Sequence, residues 1–153
     1  MKKYLLDSDI ITYLEEKESM FHASVKSNLS RLSDDEEVYI SVLTLYEMHY
    51  GMSFVKEDPG KCRKLLAVQK SIKSRFPILP LSEKGAQIYG EIKSLYRKNT
   101  GIKKKPIKQH DVDFILTSTA IEYGLVIVSN DNIFQKLREL FPDLQVENWA
   151  KGI

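Results

Sequence analysis

A single cysteine, Cys62, stands among the 153 residues. One thiol forms neither an internal disulfide nor a thiolate metal cluster, and such scarcity suits a reducing cytoplasm. No uninterrupted apolar stretch reaches transmembrane length, because Asp113 and Glu122 punctuate the segment that ends in Leu125-Val126-Ile127-Val128. The opening Met1-Lys2-Lys3 has the basic start of a secretory signal, but the apolar run behind it stops at Asp7, far short of an export core. The chain is therefore expected to stay in the cytoplasm. Internal repeats, low-complexity tracts and Pro/Gly/Ser linkers are missing too, so residues 1–153 are expected to form one domain. A Gly-rich phosphate loop, a Ser-His-Asp arrangement and Cys/His zinc spacing are also absent. The three histidines, His22, His49 and His110, are scattered and read as core or surface residues.

What is present is ordinary in bulk. Apolar residues at 42% and charged residues at 29% match globular usage, which excludes wholesale disorder. A net charge of +2 is too mild to argue nucleic-acid binding. Its distribution is more informative. Basic residues gather at Lys61, Arg63 and Lys64, at Lys70, Lys73 and Arg75, and from Lys93 through Arg97, Lys98 and Lys103 to Lys105, ending at Lys108. These are candidate phosphate contacts, although solvated helix faces carry such runs equally well.

Along the chain, strand and helix patterns alternate. Tyr4-Leu5-Leu6 reads as a buried strand followed by capping residues Asp7-Ser8-Asp9 and a helix from Ile10 to Leu14. Val38–Val42 reads as a strand running into a helix over Leu43–Phe54, and a basic helix covers Lys61–Arg75. Ile78–Leu81 is extended, and Ser82 caps a helix reaching Tyr96. Asn99–Gln109 reads as a loop, and Asp111 or Asp113 opens a helix that stops near Gly124. Leu125–Val128 is the clearest buried strand, followed by a helix over Asn132–Leu140 and a last strand at Leu144–Val146. Strands separated by helices favour a mainly parallel central sheet covered on both faces, a three-layer α/β/α fold. Ligands in such folds bind beyond the carboxyl ends of the strands.

Four acidic residues fall where that rule directs attention. Asp7 directly follows the first strand and Asp131 lies just beyond Val128. Asp113 starts a mostly uncharged helix, and Glu47 sits about one turn into a helix that is apolar on nearly every side. Asp7, Asp9, Asp111 and Asp113 all suit helix caps, and Asp131 suits a turn. No cap explains Glu47, whose burial is expected to be expensive without a cation. Carboxylates gathered at one sheet edge repel one another unless a metal neutralises them. Their oxygens suit Mg²⁺ or Mn²⁺. Ions of that kind activate water and stabilise a departing phosphate oxygen, so the cluster points to phosphodiester hydrolysis.

These segments resemble the PIN-domain family, and within it the VapC-type toxins of toxin–antitoxin pairs. The likeness is carried by Tyr4-Leu5-Leu6-Asp7-Ser8-Asp9-Ile10-Ile11, by Ile40 to Gly51 around Glu47, by Asp113 to Gly124, and by Leu125 to Asp131. Leu144 to Trp149 is similar to the closing strand of many members. The resemblance implies a PIN-like α/β/α fold, Mg²⁺- or Mn²⁺-dependent endoribonuclease activity, a homodimer and inhibition by a cognate antitoxin. Asp7 and Asp113 would be the principal metal ligands, with Glu47 and Asp131 completing the catalytic site. Ser8, Ser129 and Asn130 would support the ligands or touch phosphate. Tyr46, Tyr50, Tyr89, Tyr96 and Phe54 would belong to the core or to a dimer or antitoxin surface. The chain departs from the family pattern at Asp9, where Asn is common, at His49 in place of a frequent Arg, and at Ile133 in place of a second Asp. Two rivals remain: a haloacid-dehalogenase-like phosphatase with Asp7 as nucleophile, and a non-catalytic RNA-binding domain.

Overall fold

In the computed structural model, which describes residues 1–151, five strands form one sheet in the order β3-β2-β1-β4-β5. The strands are β1 (Lys3–Leu6), β2 (Glu37–Ser41), β3 (Ile78–Leu79), β4 (Val126–Val128) and β5 (Gln145–Glu147). All four pairings are parallel, with Leu6 level with Ile40 on one side and with Val128 on the other.

The crossovers are helical. They comprise α1 (Ser8–Glu15), α2 (His22–Ser30), α3 (Val42–Ser53), α4 (Pro59–Arg75), α5 (Glu83–Thr100), α6 (Asp111–Tyr123) and α7 (Ile133–Leu140). Strand alternation sends successive side chains to opposite faces and so sorts the interior into two cores. Tyr4, Leu6, Ile40, Val126 and Val128 meet Ile10, Ile11, Leu14, Val25 and Ile72 on one side. Leu5 and Ile127 meet Ile92, Phe114, Phe134 and Leu137 on the other. The three-layer reading thus holds, with the sheet parallel throughout.

Local chemistry sets the helix ends. Ser82 Oγ accepts from Gly85 N at 2.9 Å and starts α5, while Asp58 Oδ1 accepts from Lys61 N at 3.1 Å and starts α4 just before Pro59. Gly101 (φ 69°) and Gly124 (φ 66°) end α5 and α6 in the left-handed conformation that glycine adopts without steric penalty.

Several expected boundaries shift. Val42 is the first residue of α3 rather than the end of β2, because Ser41 Oγ accepts from Leu43 N at 3.1 Å and caps the helix one residue early. Helix α5 runs one turn beyond Tyr96, to Thr100. The stretch expected to be a loop contains a 3₁₀-helix over Pro106–His110, pinned by buried Ile107. Ile78–Leu81 pairs only at its first two residues. Helix α2 has no counterpart in the sequence reading, since its nine residues contribute a single buried side chain, Val25, and present no apolar stripe to detect.

Candidate active site

The sheet order places the outgoing connections of β1 and β4 on opposite faces, which leaves a crevice beyond the carboxyl ends of these neighbouring strands. Asp7 leaves β1 there, and Ser129-Asn130-Asp131 leaves β4 beside it, joined by Asp7 N donating to Val128 O at 2.9 Å. Asp7 is buried at 8% exposure. Its Oδ1 accepts from Ser8 N at 2.8 Å and its Oδ2 accepts from Ser129 Oγ at 2.8 Å. It is therefore both the cap of α1 and a carboxylate held from two sides. Two hydrogen bonds favour its charged form, yet burial and the nearby Asp9 outweigh them and push its pKa up to about 6.

Asp113, the third residue of α6, is the most perturbed member. Burial, then the charges of Asp7, Asp131, Glu47 and Asp9, push it up to about 7. Asp113 thus lies within electrostatic reach of the other four carboxylates. Asp111, the competing candidate, turns elsewhere. Its Oδ1 accepts from Lys93 Nζ at 2.7 Å and from the Tyr89 hydroxyl at 2.9 Å. Partial burial acts upward on Asp111, but these two bonds prevail and hold it below the usual carboxylate range.

Glu47 differs from expectation. The residue is largely exposed and its carboxylate only half-buried, because α3 is a surface helix that turns Tyr46, Tyr50 and Phe54 outward at 68%, 68% and 70% exposure. The apolar helix of the sequence is a surface helix with one buried side chain, Thr44. Ser8 Oγ donates to Glu47 Oε2 at 3.3 Å and ties it to the start of α1. Crowding by protein and the charge on Asp7 still raise its pKa.

Asp131 is exposed in the turn after β4, with Oδ1 accepting from Ile133 N at 3.2 Å at the start of α7. It combines the turn role with a place in the acidic group. Ser129 organises that turn: its Oγ is the donor to Asp7 and also accepts from Asp131 N at 3.0 Å. Asn130 N donates to Asp9 Oδ2 at 2.9 Å, and Asn130 Nδ2 reaches the Tyr13 hydroxyl at 3.3 Å. Asn148 Nδ2 in turn donates to Asn130 Oδ1 at 2.8 Å.

Asn148 and His110 escape the sequence reading, and Asp9, the departure from the family pattern beside the site, gains a definite task. Asp9 is a clamp between α1 and the β4 turn. Asn148 extends that clamp to the segment after β5. His110 brings Nδ1 to 3.6 Å from Asp113 Oδ2, too long for a hydrogen bond, while its ring packs against Tyr96 and Phe114. The spacing of His110 and Asp113, three apart at a helix start, is the signal that would have found it.

The donor set is oxygen throughout, which fits a hard divalent cation and not zinc or copper. Among the described residues no three His, Cys, Asp or Glu side chains are grouped so as to hold a metal ion by themselves. A cation of the magnesium type needs only one or two carboxylates and fills its remaining positions with water and substrate oxygens.

Crossovers that bring acidic residues from four segments to one crevice of a parallel sheet define a class of fold, and a match to the PIN domain over residues 4–140 places the chain in it: it belongs to the PIN-domain family. Ribonuclease VapC2 of Rickettsia felis is 30% identical over 148 residues, spanning 97% of this chain and 98% of that one. The crystal structure of VapBC2 from Rickettsia felis bound to a DNA fragment from their promoter contains a similar chain. It has a TM-score of 0.74 and 26% identity, over 96% of this chain and 98% of the other. A chain of FitAcB from Neisseria gonorrhoeae gives a TM-score of 0.71 at 25% identity, covering 95% of this chain and 97% of that one.

Proposed function

We propose that this chain is an endoribonuclease of the VapC type, the toxin of a toxin–antitoxin pair, which cleaves RNA phosphodiester bonds with the help of Mg²⁺ or Mn²⁺. The observation that carries the reading is the convergence of carboxylates from distant segments at the switch point of the sheet, where the charges of Asp7, Asp131 and Glu47 all act on a half-buried Asp113. The ribonuclease relative and the toxin–antitoxin structures supply the substrate class and the biological setting. Residues 1–153 act as one nuclease domain, since both cores share one sheet.

In this reading Asp7 and Asp113 hold the cation, and Glu47 and Asp131 complete the site directly or through water. A bound divalent ion activates water and stabilises the departing oxygen of the phosphodiester. The chain's own residues do the positioning. Ser129 orients Asp7 and fixes the Asp131 backbone, Ser8 holds Glu47 at the mouth, and Asn130 braces the turn through Asp9, Tyr13 and Asn148. Glu47 also separates this reading from a haloacid-dehalogenase-like phosphatase, which leaves it no task.

The partners are RNA, a cognate antitoxin and a second copy of the chain. The outward Tyr46, Tyr50 and Phe54 of α3 provide apolar surface of the kind that protein partners cover. No helix of the described residues is long and apolar enough to cross a membrane, in keeping with a cytoplasmic site of action.

The test is cleavage of total RNA by purified protein with Mn²⁺, compared with EDTA. Asp7→Asn, Glu47→Gln and Asp113→Asn should each abolish cleavage while circular dichroism stays native. Millimolar Mn²⁺ should raise the wild-type melting temperature, because a ligand that binds only the folded state stabilises it. Metal-independent RNA binding without cleavage would favour the non-catalytic reading.

A further inference from the structure

Between residues 92 and 110 the chain carries seven Lys or Arg and no Asp or Glu. The fold turns this run into a concave surface. The left-handed Gly101 ends α5 and reverses the chain, so the residues leading into the 3₁₀-helix lie back along the helix they have just left. The result is an open cleft of about 640 Å³ whose walls are Lys93, Arg97 and Lys98 from α5 and Lys104 and Lys108 from the returning segment, with buried Ile107 among them. Lys93 is neutralised by Asp111 at 2.7 Å. Arg97, Lys98, Lys104 and Lys108 make no ion pair among the described residues. Four like charges held around one concavity repel, an arrangement relieved by an extended anion.

The cleft also leads somewhere. Lys108 is close enough to lower the Asp111 pKa, and Asp111 opens the helix that carries Asp113. With a rise of about 2.0 Å per residue in the 3₁₀ turn and 1.5 Å in the α-helix, Lys108 and Asp113 are about 9 Å apart along the chain axis, roughly one to two nucleotides of strand. His110 lies between them and approaches Asp113.

Resting on the ribonuclease reading above, we propose that this α5 cleft binds the sugar-phosphate backbone of the RNA substrate and feeds the strand toward Asp113, with Arg97, Lys98, Lys104 and Lys108 as its phosphate contacts. The contacts are ionic and sequence-independent, so they set affinity and salt dependence and leave the choice of cut to the acidic crevice.

The probe is a short fluorescein-labelled 2′-O-methyl RNA of mixed sequence, which resists cleavage, bound to full-length protein in EDTA and followed by anisotropy across a salt series. Each phosphate contact on a single strand contributes a slope of about 0.7 in log K against log salt. Removing three, with Arg97→Gln, Lys104→Gln and Lys108→Gln together, should weaken binding at least tenfold and flatten the slope by about 2. A control with the same loss of charge on other faces, Lys17→Gln, Lys26→Gln and Lys136→Gln, should keep both the affinity and the slope of the wild type. Restoring charge with Arg97→Lys, Lys104→Arg and Lys108→Arg should recover binding. In Mn²⁺ the cleft variant should cleave with raised KM and little change in kcat. Equal losses in cleft and control variants, or no loss in the cleft variant, overturn the cleft even where the wild type cleaves RNA. Cleft-dependent binding with no Mn²⁺-dependent cleavage instead overturns the nuclease reading and leaves the cleft standing.

Discussion

The Asp7 carboxylate destabilises the fold it belongs to, and Asp7→Asn measures by how much. Asparagine keeps the shape and can still accept from Ser8 N through its Oδ1, while its amide replaces one carboxylate oxygen beside Ser129 Oγ. What it removes is charge. Asp7 is held near 6 in the folded protein against an ordinary 3.8, so the folded state keeps its proton longer than the unfolded chain does. A raised carboxylate of this kind favours folding at low pH, and that advantage is lost as pH rises through 6. At pH 8, without metal, the ionised side chain costs the fold about 3 kcal/mol, a figure that relaxation of its acidic neighbours will reduce. About a third of that penalty is present at pH 4.5 and all of it by pH 8.

Urea unfolding of wild type and Asp7→Asn in EDTA, across this pH range, reads the difference directly. The variant should gain on the wild type steadily with pH, reaching roughly 2–3 kcal/mol at pH 8 relative to acid pH, or about 4–12 °C in melting temperature for a chain of this size. A fixed packing effect of the amide would displace the whole curve without changing its slope. A gap that stays constant with pH, or closes as pH rises, would refute the account of Asp7 as a buried, repelled carboxylate.

The other predictions concern single contacts. Asp113→Asn should abolish Mn²⁺-dependent cleavage, whereas Asp111→Asn, which loosens Lys93 and Tyr89, should retain cleavage at the same Mn²⁺ requirement; parallel cleavage assays decide between the two aspartates. Phe134→Ala empties a fully buried position in the core beneath α7 and should cost roughly 3–5 kcal/mol in denaturant unfolding. Gly51→Ala in α3 meets nothing within 4 Å, so helix propensity alone should act and stabilise the protein by about 1 kcal/mol.

Elements with strong one-dimensional patterns were legible before the fold was known. Leu125–Val128 is apolar at every position because both faces of β4 are covered, and Asp7 is marked by its place after β1. What escaped depends on contacts across the chain. Helix α2 shows no stripe, because only Val25 is buried. The apolar sequence of α3 predicts an interior place for Glu47, yet periodicity reports hydrophobicity and not which neighbour lies opposite; Tyr46, Tyr50 and Phe54 face outward. Asp111 and Asp113 are equivalent as local sequence, and only Lys93, eighteen residues earlier, draws one of them away. Asp9 and Asn148 are joined by Asn130 over more than a hundred residues, a relation no local pattern contains.

The amide of Asn148 fastens the β4 turn from behind, and Asn148 follows the last strand of the sheet. During synthesis Asp7 emerges long before Asn148 and waits at the centre of an unfinished sheet. Until β5 docks against β4, the Ser129–Asp131 turn lacks this fastening, and only Asp9 and Tyr13 of α1 hold Asn130. The order of translation therefore acts as a timer: the acidic crevice takes its final shape only after β5 and Asn148 have been made.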